Sequence, residues 1–204
     1  MALENSLENK NMKIDRRQFL TLVVAILYLS ISSFLATTAG AAEAGDTMRW
    51  DIVTVVGTEV NPGGQATASA QDGSKIIMTG SGTFRVDDLS NNVTGGGTWE
   101  TRNPSGVITG SGTYVVLRTL RFELAPGAFF PPPFVDNVGN STDARAGMTF
   151  LRIMYSDGNA GVLVISCHLV GTPDSVFEGI TASKGFVDFW RHETGTTLYH
   201  VANP

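Results

Sequence analysis

Three copies of one short motif, Gly-x-Gly-Thr-aromatic, constrain this chain more than any other feature. The copies are Gly80–Phe84, Gly95–Trp99 and Gly110–Tyr114, and each begins 15 residues after the one before. Glycine weakens the interior of a strand, so three such sites need a structural reason. Strands that bend sharply to close a small barrel supply one, because glycine permits the bend and leaves room for a neighbour's aromatic ring. We therefore expect the motifs on adjacent bent strands, with the glycines either bordering a ligand cavity or serving curvature alone.

The chain after residue 48 has the pattern of strands throughout. Alternating and β-branched runs recur, and no stretch keeps apolar residues at helical spacing over three turns. Pairs such as Asp72-Gly73 and Asp157-Gly158 tolerate the positive φ of tight hairpins and separate the runs. The sequence predicts an all-β fold, an antiparallel barrel of eight or nine strands. The predicted strands are Arg49–Thr58, Gln65–Gln71, Ser74–Val86, Asn92–Thr101, Gly106–Leu124, Gly147–Ser156, Gly161–Val170, Ser175–Trp190 and Thr197–Val201.

Residues 1–41 have the order of an export signal. The basic pair Arg16-Arg17 precedes a mainly apolar run over 19–36, and small residues that include Ala39-Gly40-Ala41 follow it. We expect cleavage after Ala41, with cleavage after Ala44 as the second choice. An uncleaved membrane anchor is the alternative, because 18 uncharged residues can just span a bilayer.

The segment Arg16–Leu20 is also similar to the twin-arginine export signal of bacteria, although Asp15 stands where Ser or Thr is usual. The expected organisation is an export signal over 1–41, a short linker over 42–48 and one domain over 49–204. The mature protein is predicted to be exported, to the periplasm or outside the cell, by the twin-arginine route.

Charge and cysteine content exclude several classes of protein. One cysteine rules out an internal disulfide and a cysteine-rich zinc site, and a net charge of −5 argues against nucleic-acid binding. The chain has no Gly-x-Ser-x-Gly nucleophile elbow and no metal-ligand spacing such as His-Glu-x-x-His. We predict no cofactor, no metal and no nucleic-acid partner. A membrane contact is expected only through the signal segment, and the sequence leaves the oligomeric state open.

The segment Asp174–Gly185 resembles a Phe-x-Gly-x-x-x-x-x-Gly strand pair of the allene oxide cyclase and dirigent barrels. The strand over 162–170 and the motif Gly80–Phe84 agree with this resemblance, which lies mainly within residues 74–190. It implies an eight-stranded, calycin-like antiparallel barrel with an apolar cavity. It also implies binding, cyclisation or isomerisation of a small apolar molecule. None of the catalytic positions of those families is matched here, so none is carried over.

Three charged residues stand in rows that are otherwise mainly apolar: Arg118, Arg152 and Asp188. Strict alternation turns such rows inward, where a charge is unfavourable unless it meets a carboxylate or an anionic ligand. We therefore predict a polar group inside the barrel that orients a carbonyl or carboxylate. A structural ion pair, or rows facing the opposite way, is the alternative. The predicted ligand-binding residues are Arg118, Arg152, Tyr114, Phe122 and Trp190.

His168 and Asp188 are the predicted catalytic residues. His168 shares a strand face with valines, and histidine is the residue type best suited to moving a proton near neutral pH, although a hydrogen-bonded structural histidine is the alternative. Its neighbour Cys167 points to the other face and is predicted to be buried. Glu178 could be a cavity acid, but a position at the rim is favoured. The proline-rich run Pro126–Phe134 is expected to cap one end of the barrel or to form a lid.

Two functions follow from these observations. The first is an exported barrel that binds a small apolar molecule in its lumen and cyclises or isomerises it. The second is a non-catalytic carrier, or a cell-surface interaction barrel with a filled core. A cavity of several hundred cubic ångströms would favour the first function, and an interior filled by side chains would favour the second.

Overall fold

The computed structural model describes residues 45–126 and 128–202, which consist of strands and turns. No α-helix occurs in these residues, so the prediction of an all-β fold is confirmed. The predicted export signal lies outside the described residues. The strands are β1 (Thr47–Val56), β2 (Glu59–Pro62), β3 (Ala66–Ser69), β4 (Lys75–Met78), β5 (Ser81–Arg85), β6 (Val93–Arg102), β7 (Ile108–Leu124), β8 (Val135–Asp136), β9 (Ala144–Arg145), β10 (Gly147–Tyr155), β11 (Ala160–Cys167), β12 (Gly179–Lys184), β13 (Val187–Phe189), β14 (Arg191–Thr194) and β15 (Thr196–Val201), with one 3₁₀ turn at Ser141–Asp143.

The strands form one branched sheet of fifteen strands. Its main path runs β13-β12-β11-β10-β7-β6-β5-β1-β15-β9, while β4, β3 and β14 branch from β6, and β2 and β8 branch from β1. All the pairings are antiparallel except β2 with β8, so the sheet is mixed. No ladder joins β13 to β9, so the main path does not close on itself. The sheet therefore differs from the simple closed antiparallel barrel of eight or nine strands that the alternation predicted.

The larger number of strands arises because long segments bend and change partner. The predicted strand Ser74–Val86 is divided into β4 and β5, which pair with the two halves of β6. The C-terminal segment is divided at Trp190 and Gly195, so that β13 pairs with β12, β14 with β3 and β15 with β1. Such bends relieve the strain of curving a sheet that carries large rings on its inner face.

Aromatic side chains occupy the space beside the repeated glycines. A Cβ atom at Gly80 would lie 2.2 Å from the Tyr114 hydroxyl and 3.3 Å from the Trp50 ring, and one at Gly95 would lie 2.9 Å from the Trp50 ring. Trp50 and Tyr114 are both buried, at 0% and 2% exposure. The glycines thus make room for neighbouring rings. Gly112 of the third copy also lines a cavity of about 370 Å³ together with Thr79 and Trp99, so a ligand cavity beside the glycines stays a prediction.

The buried tyrosines are held by backbone carbonyls. The hydroxyl of Tyr114 donates to the carbonyl of Thr79 at 2.9 Å, and the hydroxyl of Tyr199 donates to the carbonyl of Ile165 at 2.8 Å. Each ring therefore contributes buried apolar area without leaving its polar end unpaired. Both rings belong to the buried core of the sheet.

Candidate functional site

The candidate site is a cavity of about 350 Å³ beside the hairpin of β1 and β2. Its walls are mainly apolar, and we call it the Glu178 cavity after a carboxyl group that lines it. The lining residues are Val53, Val55, Val60, Phe130, Pro131, Phe134, His168, Leu169, Glu178, Thr196, Thr197 and Leu198. A second cavity of about 390 Å³ lies at the hairpin of β12 and β13, but its only carboxyl group, Asp72, is exposed. The Glu178 cavity therefore holds the better conditions for chemistry on a small molecule.

Glu178 lies at the turn that leads into β12. The next residue, Gly179, has a φ of +111°, a conformation that other residues rarely adopt, and this bend directs the chain into the strand. The Glu178 carboxylate accepts hydrogen bonds from the backbone N–H of His168 at 2.6 Å and from that of Thr197 at 2.6 Å. Two elements, the end of β11 and the start of β15, thus fix its position.

The environment of Glu178 disfavours the charged form of its carboxyl group. Burial raises the pKa to about 7, because the charged form loses solvation. The hydrogen bonds from His168 and Thr197 act in the opposite direction but are outweighed. A carboxyl group with this pKa can donate a proton or accept one near pH 7, as a general acid or base must.

His168 follows β11 and lines the same cavity. Its Nδ1 lies 2.6 Å from the carbonyl oxygen of Val176, which can only accept a hydrogen bond. The Nδ1 atom of the neutral ring therefore carries the proton, and Nε2 is left with its lone pair. No residue among 45–126 and 128–202 gives Nε2 a hydrogen bond. The contact through Nδ1 thus fixes the orientation of the ring and leaves Nε2 able to act as a base.

The proline-rich segment over 128–134 forms one wall of the cavity. It is attached at one end by the bridge from Phe129 to Val170, and at the other by the hydrogen bond from Val135 N–H to the carbonyl of Thr58 at 2.8 Å. Phe130 is partly buried against the core, and Phe134 is 40% exposed. The segment thus contributes Phe130, Pro131 and Phe134 to the cavity wall, and whether it acts as a cap or as a lid stays a prediction.

Of the predicted site residues, four lie on the exposed surface: Arg118, Arg152, Asp188 and Trp190. The prediction that they face an interior is wrong. Tyr114 is buried in the core, where its hydroxyl is already paired, and Phe122 packs edge-on against Phe84 with ring centroids 5.1 Å apart. Only His168 lines the Glu178 cavity, and Cys167 is fully buried as predicted.

Two bulges explain the wrong placement of Arg118. The register between β7 and β10 shifts twice, and Leu117 and Leu120 are left without partners. The buried positions of β7 therefore do not follow strict alternation, and Arg118 lies outside directly opposite Arg152.

The faces of β10 and β13 are the reverse of those predicted. On β10 both rows are apolar, and the row containing Leu151 and Ile153 is the buried one, so Arg152 points outward. At β13 the row of Asp188 and Trp190 is exposed, while Phe189 is buried. A period of two identifies the rows of a strand, but not which of two apolar rows is inside.

A second group of buried polar side chains, which the sequence did not predict, joins β1, β8 and β15. The Nε2 atom of His200 lies 2.7 Å from Oδ2 of Asp136, and both side chains are at most 5% exposed. Asp51 lies nearby, paired with Arg49 at 2.8 Å, and burial raises its pKa above the ordinary value. None of these residues lines the Glu178 cavity. Asp136 instead joins the loop after β8 to β15, because its carboxylate contacts both His200 and the backbone of Val138 and Gly139.

Among residues 45–126 and 128–202, no three His, Cys, Asp or Glu side chains are placed to hold a metal ion together. In those residues no helix is long and apolar enough to cross a membrane.

The chain matches no family model, no curated protein and no solved structure.

The pKa of Glu178 predicts a pH dependence of stability. The Glu178 carboxyl group keeps in the folded chain a proton that it releases near pH 4.5 in the unfolded chain. The stability that this group contributes is therefore complete below about pH 4.5 and is lost as pH rises to about 7. We therefore expect the free energy of unfolding of the wild type, relative to that of Glu178→Gln, to fall over this window. Urea denaturation of both proteins between pH 4.5 and 8 measures it, and a constant difference would contradict the assignment.

Proposed function

We propose that this protein binds a small, mainly apolar molecule with one polar group in the Glu178 cavity. The observation that carries the proposal is a carboxyl group of raised pKa in a cavity whose other walls are mostly valine, leucine, phenylalanine and proline. A carboxylate on an ordinary protein surface stays in contact with water, so its charged form loses no solvation free energy. A carboxyl group kept in an apolar cavity is instead suited to recognising the single polar group of a ligand.

The cavity lining offers a ligand two kinds of contact, apolar along its body and polar at one end. Val53, Val60 and Leu198 are buried side chains that offer apolar contact to its body, worth about 25 cal/mol for each Å² removed from water. Glu178 offers its polar end a donor when protonated and an acceptor when ionised. The ligand class that fits is a neutral molecule with a carbonyl or hydroxyl group at one end.

We further infer that the branched sheet wraps around its core in the manner of the allene oxide cyclase and dirigent barrels. The support is the segment 187–194, which pairs with β12 through its first half and with β3 through its second. One continuous segment thus links the two branches of the sheet.

Export by the twin-arginine route, with removal of residues 1–41, belongs to the same proposal and is supported by the Arg16-Arg17 pair.

Binding of the neutral fluorescent probe N-phenyl-1-naphthylamine tests the function. We expect the wild type to bind one probe molecule with enhanced fluorescence, because the cavity excludes water from one side of the rings. Val55 lines the cavity and is 40% exposed, so Val55→Trp should fill the cavity without disturbing the core and weaken binding about tenfold or more. Val107→Trp is the matched control, since Val107 is 60% exposed and does not line the cavity.

Equal binding by the wild type and both variants would refute the site, and so would an absence of binding by the wild type. That result would favour a second candidate function, an interaction protein with a filled core. The outer face of β7 favours it, because Val115, Leu117 and Leu120 are between 42% and 53% exposed there, beside Arg118. Such a cluster of exposed aliphatic residues is typical of a surface that meets another molecule.

A further inference from the structure

We propose that Glu178 and His168 act together as a general acid and a general base that move a carbon–carbon double bond in a β,γ-unsaturated carbonyl compound. This inference rests on the proposed function, because it names the substrate class and the chemistry of the same cavity. It assigns Glu178 to the carbonyl oxygen and His168 to the carbon that lies between the carbonyl group and the double bond.

The two side chains are suited to different parts of the reaction. Both line one apolar cavity, and the backbone N–H of His168 donates to the Glu178 carboxylate at 2.6 Å, so the two residues lie side by side. The contact from Nδ1 to the carbonyl of Val176 fixes the ring and leaves Nε2 with its lone pair. Among residues 45–126 and 128–202, Glu178 is the only carboxyl group that lines the cavity, and burial favours its protonated, donating form.

The proposed reaction needs no oxidant and no cofactor. Nε2 of His168 removes a proton from the carbon between the carbonyl group and the double bond, and the electron pair of that C–H bond forms a new double bond to the carbonyl carbon. The carbonyl oxygen receives the proton of Glu178 and becomes a dienol. The imidazolium then returns its proton to the far carbon of the original double bond, and the enol proton goes back to Glu178. The product is the conjugated isomer, and both residues regain their starting state.

The apolar walls strengthen this chemistry. Charge that develops on the carbonyl oxygen is stabilised more by a nearby proton donor in a water-poor cavity than it would be in water. Thr197 keeps the donor in place, since its backbone N–H binds Oε1 of Glu178 at 2.6 Å and its hydroxyl donates to the carbonyl of Ser166 at 2.6 Å. Thr197 is therefore a positioning residue rather than a catalytic one.

Conversion of cyclohex-3-enone to cyclohex-2-enone, followed by ultraviolet absorbance, tests the inference. We expect the wild type to accelerate the reaction over buffer, and His168→Gln to lose at least about 100-fold of that rate. Glu178→Gln should also be slow, and it should lose the decline in rate that the wild type shows as pH rises through about 7. His192→Gln is the control and should keep the full rate, because His192 is exposed, stacks on Phe177 and does not line the cavity.

Binding of N-phenyl-1-naphthylamine separates this inference from the proposed function. A His168→Gln protein that binds the probe like the wild type is folded, so its loss of rate reports chemistry. A wild type that binds the probe but does not accelerate the reaction would overturn the proton-transfer inference and leave ligand binding standing. A His168→Gln protein that keeps the full rate would also overturn it. A wild type that does not bind the probe would remove both.

Discussion

Replacement of Gly97 by alanine should destabilise this protein by about 3 kcal/mol or more. A Cβ atom at Gly97 would lie 2.0 Å from the carbonyl oxygen of Thr79 and 2.8 Å from the Cα of Gly80. Both contacts are with backbone, so no side chain can rotate away, and β6 must separate from the bend between β4 and β5. Overpacking of a close-packed interior costs about 1–3 kcal/mol when side chains can adjust, and a backbone clash lies at or above the upper end of that range. In a domain of this size we expect the midpoint of thermal unfolding to fall by about 6–12 °C.

Ser81→Ala is the control for this change. Ser81 belongs to the first copy of the same motif but is exposed, so removal of its hydroxyl should alter the free energy of unfolding by no more than about 0.5 kcal/mol. Circular dichroism during heating measures both variants. If Gly97→Ala unfolds at the temperature of the wild type, the glycine repeat is not required for close packing of β6 on the bend.

Features that depend on local sequence could be predicted well. The alternating runs predicted an all-β fold, and the hairpins at Gly73 and Gly158 do contain positive-φ glycines, at +83° and +87°. The repeated glycines were expected to leave room for a neighbour's ring, and Trp50 and Tyr114 occupy that room. Each of these features needs only the period of a strand or the conformational freedom of one residue.

The site depended on information that a single strand does not contain. Arg118 was predicted inside because alternation was extended through Leu117, where a bulge against β10 breaks the register. Glu178, for which the sequence favours a position at the rim, lines the cavity and accepts a hydrogen bond from the backbone N–H of Thr197, which is 19 residues away in sequence. Contacts of this length arise from the packing of the whole sheet, so neither spacing nor residue type indicated them.

The buried polar group around His200 also depends on long-range contacts that the sequence does not indicate. It is the basis of the second large prediction. Asp136→Ala should lower the free energy of unfolding by about 3–5 kcal/mol, the usual cost of removing one partner from a buried pair. The change leaves Nε2 of His200 without its partner at 2.7 Å. It also removes the acceptor of two backbone N–H groups, those of Val138 at 2.9 Å and Gly139 at 3.1 Å. Three groups that are satisfied in the wild type thus lose their acceptor through one substitution, and the His200 side chain is only 5% exposed to water.

Glu123→Ala provides the comparison that makes this prediction specific. Glu123 also pairs with a cation, Arg121 at 2.8 Å, but both side chains are about 60% exposed, so the loss should be no more than about 1 kcal/mol. Urea denaturation of the two variants at one pH measures both changes, and an unchanged slope with denaturant would show that the unfolded states are alike. Equal losses would mean that burial does not strengthen the contact between Asp136 and His200. A large loss for Asp136→Ala alone would show that the buried contacts of the Asp136 carboxylate, with His200, Val138 and Gly139 together, fasten the loop after β8. This loop is close in sequence to the wall of the Glu178 cavity, because Asp136 follows Phe134 by only two residues.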